Sequence, residues 1–122
     1  MILGLGIDIV QIPRIEKLYL EFDWKFVKRI LSEVEISAMP SRKISHFLAK
    51  RFAAKEALSK AVGCGIGSQM RFNDIEIFKD AAGKPYFSKK TLLLIAPKIN
   101  AHLSISDDYP IAIAQVILSR AE

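Results

Sequence analysis

From Ile2 to Val10 nearly every position is apolar, and the exceptions are Gly4, Gly6 and Asp8. A strand turns successive side chains to opposite faces, so these three share one side of a β-strand. Pro13 then suits the first turn of a short helix through Arg14, Ile15, Glu16, Lys17 and Leu18. Asp23 is placed to cap a second helix, with Phe26, Val27, Ile30 and Leu31 at helical spacing. Ser32 followed by Glu35 forms a capping box for a third short helix, which Pro40 should end. The longest helical signal runs from about Ser45 to Val62, rich in Ala, Leu, Lys and Glu, and stops at Gly63. A glycine-rich turn, Cys64-Gly65-Ile66-Gly67-Ser68, follows it. Phe72 to Phe78 alternates apolar and polar residues and reads as a half-buried strand. Ala82-Gly83-Lys84-Pro85 makes a turn into a short strand at Tyr86-Phe87. Leu92 to Ile95 suggests a brief helix before Pro97. A terminal hairpin then pairs His102–Ser106 with Ile111–Leu118 across a turn at 107–110. The order of elements is α+β.

Length and composition narrow this picture. The 122 residues fit one domain spanning 1–122, with 51% apolar residues to fill a core. So small a domain leaves much surface exposed, and self-association is a natural way to bury more of it. No run approaches a membrane span, and the start lacks the features of a signal peptide. Cys64 is the single cysteine, so a cytoplasmic, reducing location is expected. The net charge of +5 is unevenly spread: residues 1–60 hold 11 basic against 7 acidic side chains. Between Arg42 and Lys60 there are six basic residues and one acid, Glu56. That excess favours an anionic partner, whether nucleic acid, phosphorylated cofactor or acidic protein.

Two acids stand out chemically. Asp8 lies on a strand too apolar to bury a carboxylate without a cation, so it either holds a metal ion, caps a turn or pairs with a lysine. Glu56 and Lys60 stand one helical turn apart. Their surroundings include Ala49, Ala53 and Ala57, which leave space for close approach. The alternative is a simple i,i+4 ion pair. Two carboxylates plus phosphate oxygens suit Mg²⁺, which takes few protein ligands and keeps waters. The scatter of His46, His102 and Cys64 argues against a zinc site. No nucleophile elbow supports a serine triad. The glycine-rich turn follows a helix where a P-loop would open one, and it serves either as a cap or as a phosphate contact.

Several segments together resemble the holo-acyl-carrier-protein synthases, the small bacterial phosphopantetheinyl transferases. They are Gly6-Ile7-Asp8-Ile9-Val10, the run from Arg51 to Ala61, Asp74-Ile75-Glu76-Ile77, Gly83-Lys84-Pro85 and Leu103-Ser104-Ile105-Ser106, in the family's order across nearly the whole chain. The resemblance implies an α+β fold in which a small antiparallel sheet packs against one long helix and several short ones, assembling as a homotrimer with active sites at subunit interfaces. It implies transfer of 4′-phosphopantetheine from coenzyme A to a serine of an acidic acyl carrier protein, releasing 3′,5′-ADP and supporting fatty acid biosynthesis. Asp8 and Glu56 would be the Mg²⁺ ligands, and Lys60 would neutralise phosphate charge and assist proton transfer. Coenzyme A would meet Arg51, Lys55, Lys60, Gly63, Lys84, Pro85, Ser104 and Ser106. The carrier protein would dock on Arg14, Lys25, Phe26 and Arg29. One departure concerns position 107: the family commonly has a histidine after the Ser-Ile-Ser segment, whereas Asp107-Asp108 follows here. An acid at a phosphate contact should weaken coenzyme A binding unless Lys84 or another base compensates. The competing expectation is a non-enzymatic nucleic-acid-binding module using Arg42 to Lys60; a trimer that kept the fold without activity is a third.

Overall fold

The glycine-bearing face of the first strand decides how the chain packs. The computed structural model describes residues 1–67 and 70–121. Strand β1 spans Ile2–Gln11 and leads directly into helices α1 (Ile12–Phe22), α2 (Trp24–Ile30) and α3 (Glu33–Ser37). The long helix α4 covers Ile44–Val62 and ends at Gly63, whose φ of 95° places it in the left-handed region that glycine accepts freely. A single 3-10 turn at Phe72–Asp74 precedes the short strands β2 (Ile77–Lys79) and β3 (Pro85–Phe87) and helix α5 (Lys89–Ile95). The hairpin β4 (Ile99–Asp108) and β5 (Ile111–Arg120) closes the chain.

The main sheet is antiparallel with order β1-β5-β4, and β2 and β3 form a separate two-stranded ladder. Asp8 stands opposite Ala114, which stands opposite Ile105, so these share one face. On that face Val10, Leu103, Ala112, Ala114, Val116 and Leu118 are buried. Helix α4 lies across it. Alanine dominates the helix here, with Ala49, Ala53, Ala54 and Ala57 fully enclosed. Gly4 and Gly6 meet the helix backbone itself: a β-carbon on either would collide with the carbonyl oxygen of Ala61 or Ala57. Small residues on both partners therefore let strand and helix touch backbone to backbone.

The opposite face of β1 is apolar yet open. Leu3, Leu5, Ile7 and Ile9 remain 47–63% exposed.

The capping box on α3 forms as expected: Glu35 N–H donates to Ser32 Oγ at 3.3 Å and Ser32 N–H to Glu35 Oε1 at 3.0 Å. Pro40 lies beyond the helix, which has already ended at Ser37. Asp23 precedes α2 at the cap position but makes no side-chain cap bond. The strand expected from Phe72 to Phe78 is corrected by the structure. Its first residues form the 3-10 turn, and only Ile77 onward is β. Side-chain competition explains this: Arg71 N–H donates to Asp74 Oδ2 at 3.3 Å, satisfying the backbone locally. β3 offers only three residues to pair with, so no ladder reaches back to Phe72. The alternation still reports burial correctly, since Ile75 and Ile77 point inward.

Candidate active site

Asp8 follows Gly6 on the same face of β1, and the close crossing brings it beside the second half of α4. Lys60 Nζ donates to Asp8 Oδ1 at 3.0 Å and to the Ile7 carbonyl at 3.1 Å. Lysine pairing, one of the alternatives for Asp8, is thus what the structure contains. The i,i+4 partner of Lys60 is not engaged in the same way: among the described residues its ion pair is with Asp8. Glu56, half-buried one turn earlier, carries a carboxyl held above its ordinary pKa. Burial is the larger cause and the Asp8 charge adds to it, while Lys60 works in the opposite direction. Two acids and one lysine, drawn from positions 52 residues apart, therefore share one field.

That field fits a divalent cation. Two carboxylates close enough for one to raise the other's pKa lower their energy when positive charge is added between them. Among the described residues no group of three or more His, Cys, Asp and Glu converges. A cation here would draw its remaining ligands from water or phosphate, the habit of Mg²⁺.

Residues expected to face the nucleotide separate into distinct environments. Lys55 is not at a surface: its side chain is 0% exposed, and its ammonium donates to Glu35 Oε1 at 2.5 Å, Ile30 O at 2.7 Å and Phe72 O at 2.9 Å. Burial depresses its pKa to about 8, although Glu35 acts to hold the charge. Arg51 is also largely interior. It donates to Glu35 Oε2 at 2.9 Å and to the Ile77 carbonyl, and it lies over the Phe47 ring at 4.7 Å. The reason in both cases is Glu35, a buried acid that requires cations around it. Sequence reasoning took Glu35 only as a capping residue. The available signal was the apolar setting of Arg51 and Lys55, which implies an unseen anion.

Lys60 is about half exposed and Gly63 is exposed at the end of α4. Ser68, assigned to the turn after it, lies outside the described residues. Lys84 is exposed, and its backbone N–H is held by Asp80 Oδ1 at 2.9 Å. Pro85 lines a small cleft of about 140 Å³ with Phe47, Lys50, Arg51, Lys79 and Asp107. Next to it opens a groove of about 730 Å³ that includes Arg42, Lys43, His46, Lys50 and Lys79. Lys50, which the sequence did not single out, pairs with Asp107 at 3.9 Å. Lys50 precedes Glu56 by about 9 Å along the helix axis. Ser104 and Ser106 are exposed, opposite Gln115 and Ile113, on the face of the sheet away from Asp8. Period-two alternation prevents their side chains from sharing the inner face with Asp8.

Arg14, Lys25 and Arg29 are exposed, while Phe26 is buried. Lys25, Phe26 and Arg29 line a cleft of about 470 Å³ whose other walls include Leu18, Ile30, Phe52 and Phe72. Phe52 stacks on Phe72 with centroids 5.0 Å apart. Because Phe52 is one turn before Glu56, this apolar cleft with its basic residues neighbours the acid pair.

Comparison with known proteins shows the family and the fold. The model of the 4′-phosphopantetheinyl transferase superfamily matches residues 4–114. A holo-[acyl-carrier-protein] synthase of Bacillus cereus is 46% identical over 121 residues, covering 97% of this chain and 96% of its own. The crystal structure of holo-[acyl-carrier-protein] synthase from Neisseria meningitidis superposes with a TM-score of 0.88 at 40% identity, over 98% of this chain and 100% of that one. A synthase structure from Bacillus anthracis, in complex with CoA (3′,5′-ADP), gives a TM-score of 0.84 at 43% identity, over 100% and 99% of the two chains.

Proposed function

We propose that this chain, which belongs to the 4′-phosphopantetheinyl transferase superfamily, transfers 4′-phosphopantetheine from coenzyme A to a serine of apo acyl carrier protein, forming holo carrier protein and 3′,5′-ADP. The observation that carries the reading is the meeting of Asp8 with Glu56 and Lys60 across the glycine crossing. The serine oxygen attacks the phosphorus joined to pantetheine, the bond from that phosphorus to the 3′,5′-ADP oxygen breaks, and the serine proton passes to a base. Lys60 offers its ammonium to the phosphate charge, and the exposed half of that side chain lets it turn from Asp8 towards a ligand. Asp8 and Glu56 would hold Mg²⁺, which when bound supplies positive charge to the diphosphate oxygens.

The nucleotide end is best accommodated by the basic groove of Arg42, Lys43, Lys50 and Lys79, with Pro85 in the adjoining cleft and the exposed Lys84 next to it in sequence. Gly63, at the far end of α4, stands apart from this groove. Lys55 drops out of this set because its donors are engaged inside the protein. Asp107 draws Lys50 to itself, which moderates the positive charge where the family commonly has a histidine. The carrier protein is read as docking its acidic helix on Arg14, Lys25 and Arg29, with an apolar anchor in the Phe26 cleft.

Homotrimer formation is part of the same proposal. The exposed row Leu3, Leu5, Ile7 and Ile9 offers a self-complementary apolar face. Ser104 and Ser106 share that side of the sheet, so a nucleotide that meets them would lie on the face that a neighbouring subunit would cover. The lone thiol of Cys64 is exposed, which suits a reducing cytoplasm.

A nucleic-acid module is less well supported. Arg51 and Lys55 belong to the interior, and Phe52 is stacked on Phe72, leaving no open base-stacking platform in that run. The test is mass spectrometry of apo carrier protein incubated with the chain, coenzyme A and Mg²⁺. A mass gain of one phosphopantetheine, prevented by EDTA, is expected; its absence rejects the transferase reading.

A further inference from the structure

The three acceptors of the Lys55 ammonium belong to three separate elements. Glu35 lies on α3, Ile30 closes α2, and Phe72 opens the 3-10 turn. An ammonium has three hydrogens, so this set satisfies it completely. Ile30 O is a carbonyl at the C-terminal end of α2, where no later helical N–H is available, and Lys55 supplies the missing donor. Phe72 begins a segment with no ladder partner of its own, and Lys55 ties its carbonyl to α4.

Two of those three acceptors matter beyond stability. Ile30 and Phe72 line the apolar cleft between Lys25, Arg29 and α4, and Phe72 stacks there on Phe52. Lys55 does not line the cleft; it lies behind it. Apolar residues in place of a whole buried ion cluster often keep or raise stability, whereas removing one member of it costs stability. What an apolar residue cannot do is fix two carbonyl groups from different elements at a set separation. Phe52 and Glu56 flank Lys55 on α4, so the bonds that shape the cleft also refer it to the acid pair.

We infer that Lys55 is a positioning residue for the carrier protein, holding Ile30 and Phe72 at the spacing that receives the carrier's apolar anchor beside Asp8 and Glu56. This rests on reading the cleft as the carrier's docking surface. It departs from a direct nucleotide role for Lys55, and the two make opposite demands on kinetics.

The experiment is steady-state turnover by the full chain, varying apo carrier protein and coenzyme A separately, for wild type and Lys55→Met. The expected result is a rise of about tenfold in KM for the carrier, with KM for coenzyme A changed less than roughly threefold. Lys55→Met leaves Glu35 paired with Arg51 at 2.9 Å, so no buried carboxylate is orphaned, and a second apolar variant, Lys55→Leu, should show the same split. A parallel rise in both KM values, an unchanged carrier KM, or a rise confined to coenzyme A overturns the inference. Wild-type chain that forms no holo carrier overturns the transferase reading and this inference together, whereas normal wild-type turnover with an unsplit variant overturns this inference alone.

Discussion

Replacing Gly6 by alanine should separate the two halves of the site while adding only one methyl group. The new β-carbon would stand 2.7 Å from Ala61 N and closer still to the Ala57 carbonyl oxygen. Non-bonded heavy atoms are at ease near 3.5–4.0 Å, so relief requires the strand and helix to part by more than about 1 Å, roughly 1.5 Å at the Ala57 oxygen. The obstructing atoms are backbone, and no rotamer change can absorb the strain. Overpacking typically costs about 1–3 kcal/mol, and the rigidity of this contact argues for roughly 2–3 kcal/mol. For a domain of this size about 4 °C of Tm accompanies each kcal/mol, giving a fall of roughly 8–12 °C.

The functional consequence should exceed the loss of folded protein. Asp8 is two residues beyond Gly6 on β1, and its partners Glu56 and Lys60 are on α4. A displacement of about 1 Å or more between them is of the kind that costs on the order of a hundredfold in rate. Thermal unfolding and turnover below the lowered Tm would be measured together, with Gly67→Ala as the comparison. Among the described residues a β-carbon at Gly67 meets nothing within 4 Å, so that variant should match wild type. Gly6→Ala protein with Tm unchanged and turnover within about twofold of wild type would refute the backbone-contact argument.

Other substitutions probe the site and the buried charges. Asp8→Asn and Glu56→Gln each keep side-chain size and should lower turnover by at least about a hundredfold with little change in Tm, checked by the mass-gain assay; near-normal rates would remove these acids from the proposed metal site. Lys60→Met should reduce kcat by on the order of a hundredfold and leave carrier affinity intact, as measured by calorimetric titration with a carrier whose acceptor serine is replaced by alanine. Lys55 has a pKa of about 8 in the fold against an ordinary 10.5, because burial outweighs its attraction to Glu35 and Glu76 and its repulsion from Arg51 adds to the depression. The unfolded chain then holds this proton more tightly, so Lys55 should add stability as pH rises from about 8 towards 10.5, by roughly 3 kcal/mol at most. Urea unfolding of wild type and Lys55→Met across that range should differ in slope with this sign, and parallel curves would contradict it.

Much of this organisation can be traced to local residue patterns. The helix from Ile44 to Val62 is announced by its composition and its terminal glycine, and the hairpin by alternation, although its turn is tighter than the expected 107–110. Asp107 and Asp108 continue β4 in register with Ala112 and Ile111, leaving only Tyr109 and Pro110 to turn. Gly4, Gly6 and Asp8 sharing one face is a matter of parity alone. Their meeting with α4 is not, because it depends on which surface of the helix accepts the strand. The extended reading of Phe72 to Glu76 failed for a related reason. Alternation reports which side chains are buried, and a 3-10 turn held by Asp74 can satisfy it for a few residues as well as a strand can.

Charge shows most clearly where residue patterns stop being sufficient. The basic excess between Arg42 and Lys60 pointed to an anionic partner, yet Arg51 and Lys55 answer to an anion inside the molecule. Glu35 is their counter-ion, contributed by a separate helix 16 and 20 residues away, and nothing in composition distinguishes it from a surface acid. Removing those two cations from the external field leaves Arg42, Lys43 and Lys50 towards one end of α4 and Lys60 towards the other. The alanine side receives β1, the Phe52 side walls the apolar cleft, and the Lys50 side opens on the basic groove. On the proposed reading one helix aligns a phosphate-rich ligand and an acidic protein about one acid pair, while Lys55 is withdrawn into the core and bonded to the carbonyls of Ile30 and Phe72 behind the cleft.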